Sequence, residues 1–149
     1  MENENEFYTM KGYLLQGHYS LSSAMEDYLE MIARLTREKR DVRVNELAGK
    51  LHVKASSVTK MVQQLTQEGY LQSKKYGVIY LTEKGVSVGD YLLYRHDVLQ
   101  KFLCTVNHSN SELEQVEKIE HFLNERTIKN LELLTIQLQT FCENDDMDK

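Results

Sequence analysis

The chain has 149 residues, 41% of them hydrophobic, with no proline or tryptophan and a net charge of −5. That length and apolar content suit one domain, or two small ones sharing a helix, and no apolar run nears the ~20 residues a membrane span requires. The opening "MENENEFYTM" lacks the basic start and apolar core of a secretory signal, and Cys104 and Cys142 match no paired-thiol spacing, so the expectation is a cytoplasmic protein with buried free thiols and no membrane contact.

Residues 1–20 hold three tyrosines and Phe7 without a clear period and read as an N-terminal extension. "SSAMEDYLEMIARLTRE" then predicts a helix: Ser22 and Ser23 are candidate N-caps, acids fill the first turns, and Met25, Leu29, Ile32 and Leu35 repeat at helical spacing. After "KRDVRV", the sets Val44, Leu47, Ala48, Leu51 and Val58, Met61, Val62, Leu65 each fall at i, i+3, i+4, i+7, predicting two short helices that meet at a tight turn around His52. "YLQSKKYGVIYL" alternates about Tyr76 and Gly77 as a β-hairpin does. From Thr82 as N-cap a long helix is expected to about Val106, with Val88, Leu92, Leu99 and Leu103 on one stripe despite Gly85 and Gly89. "SELEQVEKIEHFL" predicts a further helix. "ERTIKNLELLTIQLQTFC" predicts the last, with Ile128, Leu131, Leu134, Leu138 and Phe141 along one face, before a solvated acidic tail over 143–149.

Charge is segregated along this order. Residues 36–75 carry nine Lys or Arg against four Asp or Glu, a net of +5, so the remainder carries −10. A helix pair followed by a hairpin is the arrangement of a winged helix-turn-helix, whose second helix enters the major groove of double-stranded DNA. Lys54, Ser56, Ser57, Thr59 and Lys60 open that second helix, where hydroxyls, cations and backbone N–H groups meet phosphates and base edges. Gln63 and Gln64 follow as candidate adenine readers, and Lys74, Lys75 and Tyr76 crown the wing. The plain alternative is a capped helix with solvated lysines. The basic stretch, the helix pair and the hairpin occurring together favour DNA.

A second constellation is acidic. "VEKIEH" sets Glu117, Glu120 and His121 at i, i+3 and i+4, and Asp27 and Glu30 stand three apart off the apolar stripe of the first predicted helix. His96 lies four residues after Leu92 and three before Leu99, which points it inward. Singly these are a solvated face and a hydrogen-bonded core histidine. Together they offer four carboxylates and two imidazoles that a packed helical domain can gather into one pocket.

"MEDYLEMI", "SSVTKMVQQL", "LTEKG", "YRHDVLQKFL" and "VEKIEH", in this order, resemble the diphtheria toxin repressor family, in its short manganese-responsive branch. The resemblance spans about residues 22–142 and implies metal ligands at Asp27, Glu30, His96, Glu117, Glu120 and His121. It further implies a dinuclear site, two Mn²⁺ per subunit with Fe²⁺ a competitor. Glu30 and Glu117 would span both ions, Asp27 and His96 would lie mainly on one, and Glu120 and His121 mainly on the other.

The resulting expectation is a mainly α protein with a small β-hairpin wing. A winged helix-turn-helix DNA-binding domain (21–83) is joined by the long helix to a helical metal-binding and dimerisation domain (84–142). It would act as a homodimeric repressor of manganese-uptake genes on a palindromic operator, without enzymatic activity. A dinuclear hydrolase lacks a legible substrate cleft. A winged-helix regulator answering an organic ligand, a protein partner or Fe²⁺ is the stronger rival.

Overall fold

The computed structural model describes residues 9, 21–38, 41–73 and 77–147. The extension read over 1–20, Thr9 apart, and the wing tip Lys74, Lys75 and Tyr76 lie outside the described residues. Helix α1 (Ser23–Arg37) starts where Ser22 accepts a hydrogen bond from the Met25 N–H at 3.2 Å. Strand β1 (Val42–Arg43) leads into α2 (Val44–Leu51), and α3 (Ala55–Gln67) follows across the tight turn. His52 closes α2 in the left-handed region, at φ 54°, so that the Val53 N–H can return to the Ala48 carbonyl at 3.0 Å.

β2 (Leu71–Ser73) and β3 (Val78–Leu81) form the expected hairpin, with Gln72 opposite Tyr80. Sequence periodicity missed a third strand. β1 pairs antiparallel with β3, Val42 opposite Ile79, giving the order β1-β3-β2. Two residues are too few to show alternation, but Val42 is buried, and its side chain ties the wing to the core.

Helix α4 (Glu83–Asn107) is capped by Thr82, whose hydroxyl accepts from the Gly85 N–H at 3.1 Å. It runs through two hydrophobic cores. The first joins Leu29, Ile32, Leu47, Val58, Leu65, Leu71 and Leu92; the second joins Val98, Leu99, Leu103, Val116 and Ile128. α5 (Leu113–Ile119) tightens into a 3-10 turn, Glu120–Phe122, where a continuous helix was expected, because Leu123 must extend to reach the second core. Asn124 then caps α6 (Glu125–Met147) by accepting from the Thr127 N–H at 2.9 Å.

Three expectations change. α6 continues helically to Met147 through most of the acidic tail, whose described side chains are exposed. Its inward residues are Ile128, Leu131, Thr135 and Leu138, whereas Leu134 and Phe141 are exposed, Phe141 at 74%, because α4 covers only a narrow strip of the helix. The cysteines are not buried: Cys104 is partly covered and Cys142 exposed, and both are free thiols. Among the described residues no helix is long and apolar enough to cross a membrane.

The glycines of α4 are contact surfaces. A Cβ on Gly89 would stand 2.8 Å from the Ala33 Cβ, and one on Gly85 would stand 2.1 Å from the Tyr70 carbonyl oxygen. Their bare backbone lets α1 and the turn between α3 and β2 lie directly on the long helix. Gly49 has nothing within 4 Å of such an atom. Gly85→Ala is therefore expected to destabilise by about 2–3 kcal/mol, since backbone cannot rotate away, while Gly49→Ala stabilises by about 0.5–1 kcal/mol through helix propensity. Urea unfolding in chelator checks both; equal effects would show that the helices cross more loosely than these distances.

Candidate metal centre

The six candidate ligands come from three segments that meet between the two cores. α1 supplies Asp27 and Glu30 from consecutive turns, α4 supplies His96, and Glu117, Glu120 and His121 come from the end of α5 and its 3-10 turn. Because Leu29 and Ile32 anchor α1 in the first core and Leu99 anchors α4 in the second, the faces carrying these groups are turned toward one another. All six are brought together in two overlapping sets, Glu30, His96, Glu117 and Glu120 in one and Asp27, Glu120 and His121 in the other. Within each set the donor atoms lie within 4.8 Å of one another.

Glu120 holds the centre. Its side chain is 1% exposed, Oε2 lies 3.1 Å from His96 Nδ1, and Oε1 lies 3.9 Å from His121 Nε2. His96 Nδ1 also stands 3.7 Å from Glu30 Oε1 and 3.7 Å from Glu117 Oε1. Asp27 Oδ1 lies 2.9 Å from His121 Nε2 but off the axis of the ring N–H, a close ion pair rather than an aligned hydrogen bond. The grouping differs from the family expectation. Glu120 is the residue common to both sets, Asp27 keeps company with His121, and His96 with Glu30 and Glu117. The 3-10 turn explains this, since it swings the Glu120 carboxylate between the two imidazoles.

Crowding sets the ionisation. Burial, and then the neighbouring Glu120, push the Glu30 carboxyl up to about 7. Burial raises Glu117 as well, helped by Glu120 and Asp27. The contact with Glu120 raises His96, and the carboxylates of Asp27 and then Glu26 push His121 up to about 10. Both rings thus serve as internal counter-charges. Glu30 Oε1 is nonetheless buried without a hydrogen-bond partner among the described residues, the state of an acceptor that a cation would satisfy. Donors limited to carboxylate oxygen and imidazole nitrogen, without sulfur, fit a divalent cation of the harder kind. A cleft lined by Asp27, Glu30, Glu117 and Lys50 opens these groups to solvent.

Sequence reasoning missed Glu26 and Arg95. Arg95 is 4% exposed and its Nη1 donates to Glu26 Oε2 at 3.1 Å, while Glu26 Oε1 reaches His121 Nδ1 at 3.1 Å. The only signal in the chain was position: Arg95 adjoins His96, and Glu26 adjoins Asp27.

On the other face of the first core, Lys54, Ser56, Ser57, Thr59, Lys60, Gln63 and Gln64 are all exposed along α3. Thr59 Oγ1 donates to the Ala55 carbonyl at 3.1 Å, and Gln64 makes a weak contact with Met25 Sδ at 3.9 Å. Neither serine caps the helix, because Lys54 occupies that position without a side-chain bond.

Comparison with known proteins joins the two faces. Residues 20–79 match the family described as "Iron dependent repressor, N-terminal DNA binding domain". The HTH-type transcriptional regulator MntR of Bacillus pumilus (strain SAFR-032) is 41% identical over 124 residues, 83% of this chain and 84% of that protein. MntR of Bacillus subtilis (strain 168) is 40% identical over 127 residues, 85% of this chain and 87% of that one. Among solved structures, the manganese regulator SloR superposes with a TM-score of 0.66 at 26% identity, and the metal-dependent transcriptional regulator MtsR with 0.67 at 26%. Each match covers 74% of this chain and 52% of the other, so the chain spans about half the length of those two proteins.

The ionisation pattern has a measurable sign. A histidine raised above its ordinary 6.5 adds stability that is complete below that value and is lost as pH rises through the folded pKa, which for His121 means a window from 6.5 to about 10. Glu30, raised from 4.5 to about 7, acts in the same direction over its own range. The melting temperature in chelator is expected to fall from about pH 6 to about pH 9.5, and to fall less steeply in His121→Gln. Parallel pH profiles for the two proteins would show that His121 carries no such charge.

Proposed function

This chain belongs to the diphtheria toxin repressor family, in its MntR branch of transcriptional regulators, and from that premise we propose that it is a manganese-dependent DNA-binding repressor. It is a regulator and not an enzyme. The observation that carries the reading is the convergence of six oxygen and nitrogen donors from both halves of the molecule at the junction of its two cores. The proposed ligands are Asp27, Glu30, His96, Glu117, Glu120 and His121, holding two Mn²⁺ per subunit, with Fe²⁺ as competitor.

Bound there, Mn²⁺ would supply positive charge to balance the carboxylates that Asp27 and Glu30 of α1 and Glu117 and Glu120 hold out from the two halves. The protein does the rest. Asp27 and Glu30 belong to α1, which is packed into the same core as α3, so their position fixes the recognition helix. Glu117, Glu120 and His121 belong to the segment whose Val116, Ile119 and Leu123 pack in the second core with Ile128 of α6, and the outer face of that helix leaves Leu133, Leu134, Ile136 and Phe141 exposed. We assign that outer face to a homodimer contact, because a reader of a palindromic operator needs a two-fold axis. Ordering the donors therefore sets the distance between two recognition helices. On α3, Lys54, Ser56, Ser57, Thr59 and Lys60 are the proposed phosphate and base-edge contacts, with Gln63 and Gln64 as base readers; Lys74, Lys75 and Tyr76 are proposed for the flanking backbone.

The decisive experiment is titration of operator binding with Mn²⁺ against chelator. Glu117→Ala removes a half-exposed side chain and should leave a folded dimer that no longer responds to Mn²⁺. A variant responding like the parent would remove Glu117 from the ligand set. For the DNA face, Lys60→Ala should weaken binding to all sequences alike and reduce the slope of log affinity against log salt by about 1 for each phosphate that is no longer neutralised. An unchanged slope would mean that Lys60 touches no phosphate.

A further inference from the structure

Arg95, buried, and Glu26, partly buried, are charges beside the centre that the proposed ligand set leaves unused. Arg95 precedes His96 on α4, and one residue is a rotation of about 100° round a helix, so the turn that directs His96 to Glu120 directs Arg95 toward α1. Its Nη1 donates to Glu26 Oε2 at 3.1 Å. The other Glu26 oxygen, Oε1, lies 3.1 Å from His121 Nδ1. The remaining nitrogen of that ring, Nε2, faces Asp27 Oδ1 at 2.9 Å and Glu120 Oε1 at 3.9 Å.

The two nitrogens of His121 thus have different partners. Among the described residues Nδ1 has one acceptor, Glu26, because its other polar neighbour, Arg95 Nη2 at 3.4 Å, is itself a donor. If Nδ1 carries the proton, Glu26 accepts it. If Nδ1 were bare, the guanidinium would donate and the Glu26 oxygen would be repelled; the shorter carboxylate contact selects the first case. A neutral imidazole that binds a cation through one nitrogen keeps its proton on the other, and a carboxylate on that proton fixes the ring and strengthens its basicity.

We propose that Glu26, clamped by Arg95, is a positioning residue of the metal centre: its carboxylate takes the Nδ1–H of His121 and leaves Nε2 as the ligand nitrogen beside Asp27 and Glu120. This rests on the reading of His121 as a ligand. It makes Arg95 the link between the two sets of donors, since one turn of α4 carries His96 to the first and, through Glu26, orients His121 for the second. A plain ion pair fastening α1 to α4 would instead contribute to stability alone.

The test uses ¹⁵N-labelled protein with ¹¹³Cd²⁺ as a diamagnetic probe, and Mn²⁺ affinity read by electron paramagnetic resonance. In the parent, His121 should show cadmium coupling to Nε2 and a proton on Nδ1. Glu26→Ala is expected to lower Mn²⁺ affinity by about 10–100-fold and to put His121 into a mixture of tautomers, with His96 signals unchanged. Glu26→Gln, close in shape and still able to accept through its amide oxygen, should keep the parent tautomer with an intermediate affinity. Parent-like Mn²⁺ affinity and His121 signals in Glu26→Ala would overturn the inference, as would a lowered metal-free melting temperature accompanied by parent-like His121 signals. Parent protein that binds Mn²⁺ without cadmium coupling at His121 would overturn the ligand assignment itself, a failure distinguishable from that of Glu26.

Discussion

Negative charge crowded at the junction of two hydrophobic cores is the constraint around which this molecule is arranged. Glu30, Glu117 and Glu120 share one small volume with His96, and Asp27 shares the next with His121. Partly dehydrated carboxylates repel strongly, and the protein balances them by raising the proton affinity of both imidazoles and of Glu30 itself. Such a site holds protons where a cation would bring its charge. A cation taken up there would have to displace those protons, so proton competition would set in at a higher pH than at an unperturbed imidazole.

Helix α4 makes the crowding possible. Among the described residues it is the one element common to both cores, with Leu92 in the first and Val98, Leu99 and Leu103 in the second. His96 falls between them, so its burial follows from the helix being covered on the same stripe at both ends. Gly85 and Gly89 bring the winged-helix half against this rod more closely than any side chain would permit. The winged half is therefore seated firmly on α4, and the candidate donors of α1 face those of α5 and its 3-10 turn across the junction.

The two faces of the winged half have separate chemistry. α3 presents exposed cations, hydroxyls and amides, while α1 presents carboxylates to the junction, and Leu29, Val58 and Leu65 fill the space between. A change in the position of α1 has to move α3, because close-packed side chains transmit displacement rather than absorb it. The overall net charge of −5 conceals this division, since the acidic groups include those held at the junction and the basic ones cluster near the recognition helix.

Periodicity within single segments determined much of this. Apolar spacing located each α-helix among the described residues, Ser22 and Thr82 marked two starts, the +5 stretch marked the basic half, and "MEDYLEMI", "YRH" and "VEKIEH" supplied the candidate donors. What periodicity describes is one element's faces; it carries no information about what packs on them. Only the tertiary structure decided that Glu120 stands between both imidazoles, because that depends on α5 tightening so that Leu123 can reach the second core. The same holds for Glu26 and Arg95, whose partners lie 69 and 95 residues away along the chain, and for Val42, whose two-residue strand is defined only by pairing with Ile79. It holds too for Leu134 and Phe141, which share the spacing of Ile128 and Leu131 yet face outward because α4 covers only part of the stripe. Local spacing sets which way a side chain points from its own helix, and the packing of two cores on one long helix decides what it meets.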